Sequence, residues 1–128
     1  MRLLLACAAL VLPGCATTPA GVDPRDGIAR AGFNERVYVD GPYVTPLSLV
    51  EDSRCPVNAR CVSAGRTRVM VRIDLGSRSE IRELCSDTPL RVADGALSLV
   101  EVWPERRVGH QPAEQKPYRF GFRFAGGL

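Results

Sequence analysis

The segment from Thr67 to Leu75 alternates between apolar or β-branched residues and mostly charged residues over its whole length. Side chains of a β-strand point alternately to its two faces, so this period of two predicts a strand with one buried face and one exposed face. The face predicted to be buried carries only β-branched or aliphatic side chains, namely Thr67, Val69, Val71, Ile73 and Leu75.

The end of the chain shows a second strand of this kind, with Tyr118, Phe120, Phe122 and Phe124 alternating with arginine and glycine. Aromatic side chains bury about 150–250 Å² each, so this face is predicted to anchor the core. Weaker patterns predict further strands at 37–39, 44–51, 81–85, 90–93 and 96–103.

Turn signals separate these runs. Asp94-Gly95 predicts a type I′ hairpin turn, and Pro46 predicts an edge or a bulge at its position. Six to eight strands without a long helix indicate an all-β fold. We expect a small antiparallel sandwich, one form of which is immunoglobulin-like, and a small β-barrel is the alternative. We expect one β domain over residues 37–128.

The N-terminus predicts export. Residues 1–14 combine Arg2 with a short apolar core, which is too short to span a bilayer, where about 20 residues are needed. The sequence Leu12-Pro13-Gly14-Cys15 resembles the lipobox of bacterial lipoproteins, and this resemblance implies cleavage before Cys15 and lipidation of that residue. The alternative is ordinary signal peptidase cleavage after Ala16.

The segment 15–36 is rich in Gly, Pro, Ala and Asp and predicts a flexible tether. Ala16 follows Cys15. In lipoproteins that this sequence resembles, such a residue favours transfer to the outer membrane, so we expect the protein at the periplasmic face of the outer membrane in the bacterial cell envelope. A soluble periplasmic or secreted protein is the alternative. We expect the protein to bind the membrane through the lipid anchor on Cys15. The formal net charge of +3 is too small to indicate nucleic acid binding.

Three cysteines remain beyond Cys15. In an oxidising compartment the spacing of Cys55 and Cys61 predicts a disulfide, which closes a small loop. A metal site is disfavoured because too few ligands accompany the thiols, and a redox site because the spacing is not C-x-x-C. Cys85 is expected to be a buried free thiol, with pairing to Cys55 or Cys61 as the alternative.

The stretch DSRCP, residues 52–56, followed by Cys61-Val62 and Ala64-Gly65, resembles the motif of a family of small bacterial exported proteins and lipoproteins of uncharacterised function. Ser63 stands where that motif usually carries an aromatic residue. The resemblance implies export, paired cysteines and a β fold, and it implies no activity.

No spacing of nucleophiles, histidines or carboxylates singles out a catalytic group. We therefore expect that the chain is not an enzyme and that it has no catalytic residue, metal or cofactor. His110 is the only histidine and lies in a predicted polar loop. Two functions remain: a structural or binding module of the cell envelope, or a small inhibitor or stress-response lipoprotein that presents the Cys55–Cys61 loop to an enzyme. The candidate binding residues for a protein partner are Arg54, Val57, Asn58 and Arg60.

Overall fold

A computed structural model describes residues 10–15, 20–109 and 118–127. These residues form two four-stranded antiparallel sheets and no helix. The strands are β1 (Ala29–Gly32), β2 (Val37–Tyr38), β3 (Tyr43–Asp52), β4 (Thr67–Leu75), β5 (Arg78–Cys85), β6 (Leu90–Val92), β7 (Gly95–Trp103) and β8 (Arg119–Ala125). The fold is therefore all-β, and the predicted sandwich is confirmed.

Strand β4 has the predicted bounds, and its aliphatic side faces the core. Val69, Val71 and Ile73 are fully buried, whereas Arg72 on the opposite side is exposed. In β8, Phe120 and Phe122 are fully buried, while Phe124 and Tyr118, which directly precedes the strand, are partly exposed and pack at the margin of the core. The two clearest sequence patterns thus supply facing walls of the core, one from each sheet.

The strand order differs from that of an immunoglobulin domain. One sheet has the order β2-β3-β4-β5 and the other β1-β8-β7-β6, so each sheet is built mainly from consecutive hairpins. Immunoglobulin sheets instead bring non-consecutive strands together by Greek-key connections. The described strands also stay in two separate sheets and do not close into a barrel.

The predicted tether is corrected for residues 29–32, which form the edge strand β1. Ala29 and Ala31 are fully buried, and they lie opposite Phe122 and Phe120 of β8. Small side chains fit here because the phenylalanine rings fill the space between the sheets. Alanine and glycine have low β propensity, so composition pointed to a linker although tertiary packing makes a strand.

The hairpin between β6 and β7 turns one residue earlier than predicted. Val92 pairs with Gly95, so the turn residues are Ala93 and Asp94, and Ala93 adopts a positive φ of 51°. Gly95 belongs to the strand, where a Cβ would come within 2.9 Å of the Cα of Gly126. The glycine serves close packing of backbone against backbone rather than the turn itself.

The bulge expected near Pro46 is confirmed, because the register between β3 and β4 shifts between Pro46 and Ser48. Residues 1–9 of the predicted signal segment lie outside the described residues, as does His110. Among the residues that are described, none belongs to a helix long and apolar enough to cross a membrane.

Thr67 at the start of β4 is fully buried, and its hydroxyl has no hydrogen-bond partner among the described residues. A buried polar group without a partner loses its hydration without compensation. Thr67→Val keeps the shape and removes the hydroxyl, so we expect the free energy of unfolding to rise by about 1 kcal/mol. Urea denaturation measures this, with the exposed Thr88→Val as the control. A loss of stability in Thr67→Val would show that the hydroxyl is in fact satisfied.

Candidate functional site

The predicted disulfide joins Cys55 and Cys61, whose Cα atoms are 5.9 Å apart. We call residues 55–61 the clipped loop. It lies in the connection between β3 and β4, at one end of the sandwich. The N–H of Ala59 donates to the carbonyl of Pro56 at 3.1 Å, which closes a tight turn within the loop.

Backbone pairing continues from the two strands towards the clipped loop. The N–H of Ser53 donates to the carbonyl of Arg66 at 2.8 Å, and the N–H of Cys55 donates to the carbonyl of Ala64 at 2.9 Å. Gly65 lies between these two bonds with a positive φ of 66°. The chain therefore enters and leaves the loop as a hydrogen-bonded ribbon, which fixes its direction.

Arg54 joins the two sheets instead of pointing to solvent. Its guanidinium donates to both carboxylate oxygens of Asp52, at 2.7 and 2.9 Å. It also donates to the carbonyls of Val102 at 3.0 Å and Pro104 at 2.9 Å. Because these partners belong to β3 and to the end of β7, Arg54 holds the base of the loop against the opposite sheet.

Asp52 is the buried member of this pair, with 8% of its side chain exposed. The hydroxyl of Tyr118 donates to its Oδ2 at 3.0 Å. Burial raises the pKa of Asp52, but the hydrogen bonds and charge of Arg54 and the bond from Tyr118 outweigh it, so the pKa lies below its usual value. Burial and the adjacent Asp52 carboxylate raise the pKa of Tyr118.

This lowered pKa predicts a loss of stability in acid. A carboxyl whose pKa is lower in the folded than in the unfolded chain stabilises the fold fully above the unfolded value, here 3.8. That contribution disappears as pH falls through the lower folded pKa. The free energy of unfolding, measured by urea denaturation from neutral pH to strong acid, should fall less steeply in Asp52→Asn than in the wild type. Equal slopes would mean that Asp52 titrates normally.

A second loop packs beside the clipped loop. The side chain of Asn58 accepts a hydrogen bond from the N–H of Val108 at 2.8 Å and donates to the carbonyl of Val108 at 3.3 Å. The N–H of Val57 donates to the carbonyl of Arg106 at 2.9 Å, and Arg106 in turn donates to the carbonyl of Arg54 at 2.8 Å. Residues 105–109 and the clipped loop therefore form one unit.

The exposed part of this unit combines valines with arginines. The exposed fractions are 55% for Val57 and 59% for Val108, and Val62 is fully exposed. Arg60 and Arg107 are also exposed. We call the five residues Val57, Arg60, Val62, Arg107 and Val108 the clip surface.

The structure divides the predicted binding residues into two pairs. Arg54 is partly buried and Asn58 is exposed, and the side chains of both make hydrogen bonds that hold the loop, whereas Val57 and Arg60 are exposed. Sequence reasoning missed Val62, Val108 and Arg107. Val62 carried a signal, since it directly follows the second cysteine of the disulfide. Residues 107 and 108 carried none, because only tertiary hydrogen bonds bring their loop to this place.

Cys85 remains a free thiol of intermediate exposure and is not bonded to Cys55 or Cys61. It borders an open groove of about 400 Å³ between residues 85–89 and residues 98–102 of β7. Burial, followed by the nearby charges of Glu83 and Asp87, raises the pKa of the thiol. A raised pKa leaves little thiolate, which is the nucleophilic form.

We therefore expect slow alkylation of Cys85. In the folded protein without reductant, iodoacetamide at pH 8 should leave Cys55 and Cys61 unmodified and modify Cys85 more slowly than a free cysteine in an unfolded chain. Mass mapping of peptides after timed alkylation tests this residue by residue, with the urea-unfolded protein as the control. Rapid modification of Cys55 would show that the disulfide is absent in solution.

The acidic residues near the clipped loop are occupied by ion pairs. Glu51 and Glu83 flank Arg68, whose hydrogen bonds hold the pKa of both carboxyls below the usual range. Carboxyls with lowered pKa values are poor proton donors near neutral pH. Within the described ranges, no three metal-ligating side chains come together in a way that could hold an ion.

Comparison with models of protein families, with curated proteins and with solved structures finds no match for this chain. The resemblance of residues 52–65 to small bacterial exported proteins therefore stays a prediction. The arrangement at this end of the sandwich is a rigid loop, clipped by a disulfide and anchored by Arg54, that exposes valines and arginines.

Proposed function

We propose that this chain is an exported, lipid-anchored, non-catalytic β domain that binds a protein partner in the cell envelope through the clip surface. The observation that carries this proposal is the contrast between the residues that hold the clipped loop and the exposed residues within and next to it. Arg54, directly before the loop, and Asn58, within it, are held by seven hydrogen bonds, counting the one that Arg106 donates to the Arg54 carbonyl. Val57, within the loop, and Val62, directly after it, are exposed.

A rigid exposed loop suits binding. Ordering a flexible loop on association costs free energy, and a loop that is already fixed avoids much of this cost. Exposed apolar side chains grouped together are typical of interaction sites, and arginine is enriched in protein interfaces. The clip surface offers both exposed valines and arginines next to the disulfide and the adjoining loop.

Export is supported by the cysteines. A disulfide persists in an oxidising compartment such as the bacterial periplasm and is rare in the cytosol. Together with the lipobox-like sequence before Cys15, this favours the periplasmic face of the outer membrane. If Cys15 is lipidated, Cys15→Ser should abolish incorporation of labelled palmitate and move the protein from the membrane fraction to the soluble periplasm. Unchanged labelling would remove the anchor from this proposal.

A second candidate function is inhibition of an enzyme by the same loop. Val62 favours it, because this fully exposed side chain beside the disulfide is well placed to enter a cleft. Both candidates need the clip surface, but only an inhibitor lowers the activity of the enzyme that it captures.

Site-specific photocrosslinking in intact cells tests the proposal. A crosslinker at Val62 should capture a defined protein, and one at Tyr38, an exposed residue at the opposite end of the sheet, should not. Arg60→Glu should reduce the captured product at position 62 without unfolding the domain. Equal capture at both positions would contradict a binding role for the clip surface. Assaying a captured enzyme with the purified chain then separates the inhibitor from the binding module.

A further inference from the structure

Strand β5 forms one edge of its sheet and has β4 as its only strand neighbour among the described residues. An exposed edge offers unpaired N–H and C=O groups to another strand. This edge also carries Ile81, of which 60% is exposed although it is a large apolar residue. The clip surface does not include this strand.

The hairpin joining β4 to β5 determines which backbone groups of β5 face outward. Leu75 pairs with Arg78 across a two-residue turn, and the residues that close such a turn exchange hydrogen bonds. Hydrogen-bonded pairs recur at every second residue, so the residues bonded to β4 are Arg78, Glu80, Arg82 and Leu84. The outward-facing groups then belong to Ser79, Ile81 and Glu83.

Two backbone hydrogen bonds, one at the last residue of β5 and one at the residue after it, agree with this alternation of inward-facing and outward-facing groups. The N–H of Ser86 donates to the carbonyl of Thr67 at 2.9 Å, as expected for an even-numbered residue bonded to the β4 side. The carbonyl of Cys85 accepts from the N–H of Thr88 at 3.4 Å on the outer side. Thr88 thereby covers the edge at Cys85 and leaves the stretch 79–83 open.

We propose that β5 pairs with β5 of a second copy of this chain, antiparallel and centred on Ile81. A two-fold axis through Ile81 places this residue opposite its own copy as a hydrogen-bonded pair. Ser79 then lies opposite Glu83 of the other copy, and the three outward pairs exchange six main-chain hydrogen bonds. The exposed isoleucines cover each other.

The charges of β5 favour this register over those shifted by one residue in either direction. With Ile81 at the centre, Glu80 of each copy lies opposite Arg82 of the other, which gives two attractive cross-strand pairs. Centring on Glu80 or on Arg82 instead sets like charges directly opposite each other. Within one chain, Glu80 and Arg82 contact each other only loosely, at 3.7 Å.

The pairing produces a closed dimer. It joins two sheets into one of eight strands, whose outer edges are the two copies of β2. Strand β2 has only two residues and offers little for further growth. The contact is small, so self-association should depend on concentration.

Sedimentation velocity of the purified chain from micromolar to millimolar concentration tests this dimer. Glu80→Arg and Arg82→Glu should each weaken self-association at least about tenfold, because both attractive pairs become repulsive. An equimolar mixture of the two variants should form a heterodimer, since each Arg then faces a Glu. The control is Arg91→Glu, at an exposed residue of β6. It makes the same change of charge as Arg82→Glu and should leave the dimer unaffected.

Ile81→Pro supplies a test of the main-chain bonds. The N–H of Ile81 faces outward, so its replacement by proline should remove hydrogen bonds to the second copy while the pairing of β5 with β4 persists. Circular dichroism checks that each variant is folded. A wild-type chain that stays monomeric at millimolar concentration overturns the proposal, as does a mixture of the charge variants that forms no heterodimer.

Discussion

Replacing Arg54 by alanine should lower the free energy of unfolding by about 3 kcal/mol. The substitution leaves the Asp52 carboxylate, 8% exposed, without its main counter-ion, and it removes the donors to the carbonyls of Val102 and Pro104. Breaking a buried ion pair from one side typically costs about 3–5 kcal/mol. We expect the lower end, because about a fifth of the Arg54 side chain remains exposed.

Two further variants separate geometry from charge. Arg54→Lys keeps the charge, but a single ammonium group cannot reach the carboxylate and both carbonyls as the planar guanidinium does, so it should recover only part of the loss. Arg60→Ala, in the same loop but exposed, should change stability by no more than about 0.5 kcal/mol. Chemical denaturation compares all three variants. An Arg54→Ala protein as stable as Arg60→Ala would show that the inter-sheet bonds contribute nothing net.

Replacing Gly65 by alanine should destabilise the domain by about 3 kcal/mol or more. The residue has a φ of 66°, where an L side chain is strained, and its Cβ would overlap the carbonyl group of Ser53 on the neighbouring strand. The obstructing atoms are backbone atoms held by the ribbon beneath the clipped loop, so they cannot move aside without breaking its hydrogen bonds.

Gly76 is the matched control for this substitution. Its φ of 67° is nearly the same, yet no atom lies within 4 Å of the position of a Cβ. Gly76→Ala should therefore cost only the backbone strain, about 1 kcal/mol. The difference between the two variants in thermal or urea denaturation measures the steric part. If both variants lose the same stability, the close approach of Gly65 to Ser53 has no energetic weight.

Arg54→Ala and Gly65→Ala also bear on the proposed binding function, because they alter the chain next to the clipped loop without changing a residue of the clip surface. If binding needs a fixed loop, Arg54→Ala should weaken capture by the crosslinker at Val62 under conditions where the domain stays folded. Val57 and Arg60 remain present in this variant, so a loss would reflect positioning rather than missing contacts.

Local patterns predicted well where neighbouring residues alone decide the outcome. The alternation in β4 and in β8 follows from the geometry of a strand with one buried face, and the short spacing of Cys55 and Cys61 keeps them within bonding range. The bulge at Pro46 follows likewise, because proline lacks the N–H that a regular ladder requires.

Prediction failed where distant residues decide. Strand β1 exists because Ala29 and Ala31 pair with the phenylalanines of β8, about ninety residues further along the chain, in the same sheet. The turn at Ala93 and Asp94 is displaced from the Asp-Gly signal because Gly95 is needed where its backbone meets Gly126. In both cases packing overrides local propensity.

The sequence by itself determined the all-β class, the strongest strands and the disulfide, since each depends on residues close together in the chain. Only the tertiary structure decided what Arg54 does. A charged residue beside a cysteine predicted an exposed contact, but the carbonyls that satisfy it come from residues 102 and 104 on the other sheet. Hydrogen bonds that join Val57 and Asn58 to the loop after β7 add Val108 to the clip surface, so its composition also depends on tertiary contacts.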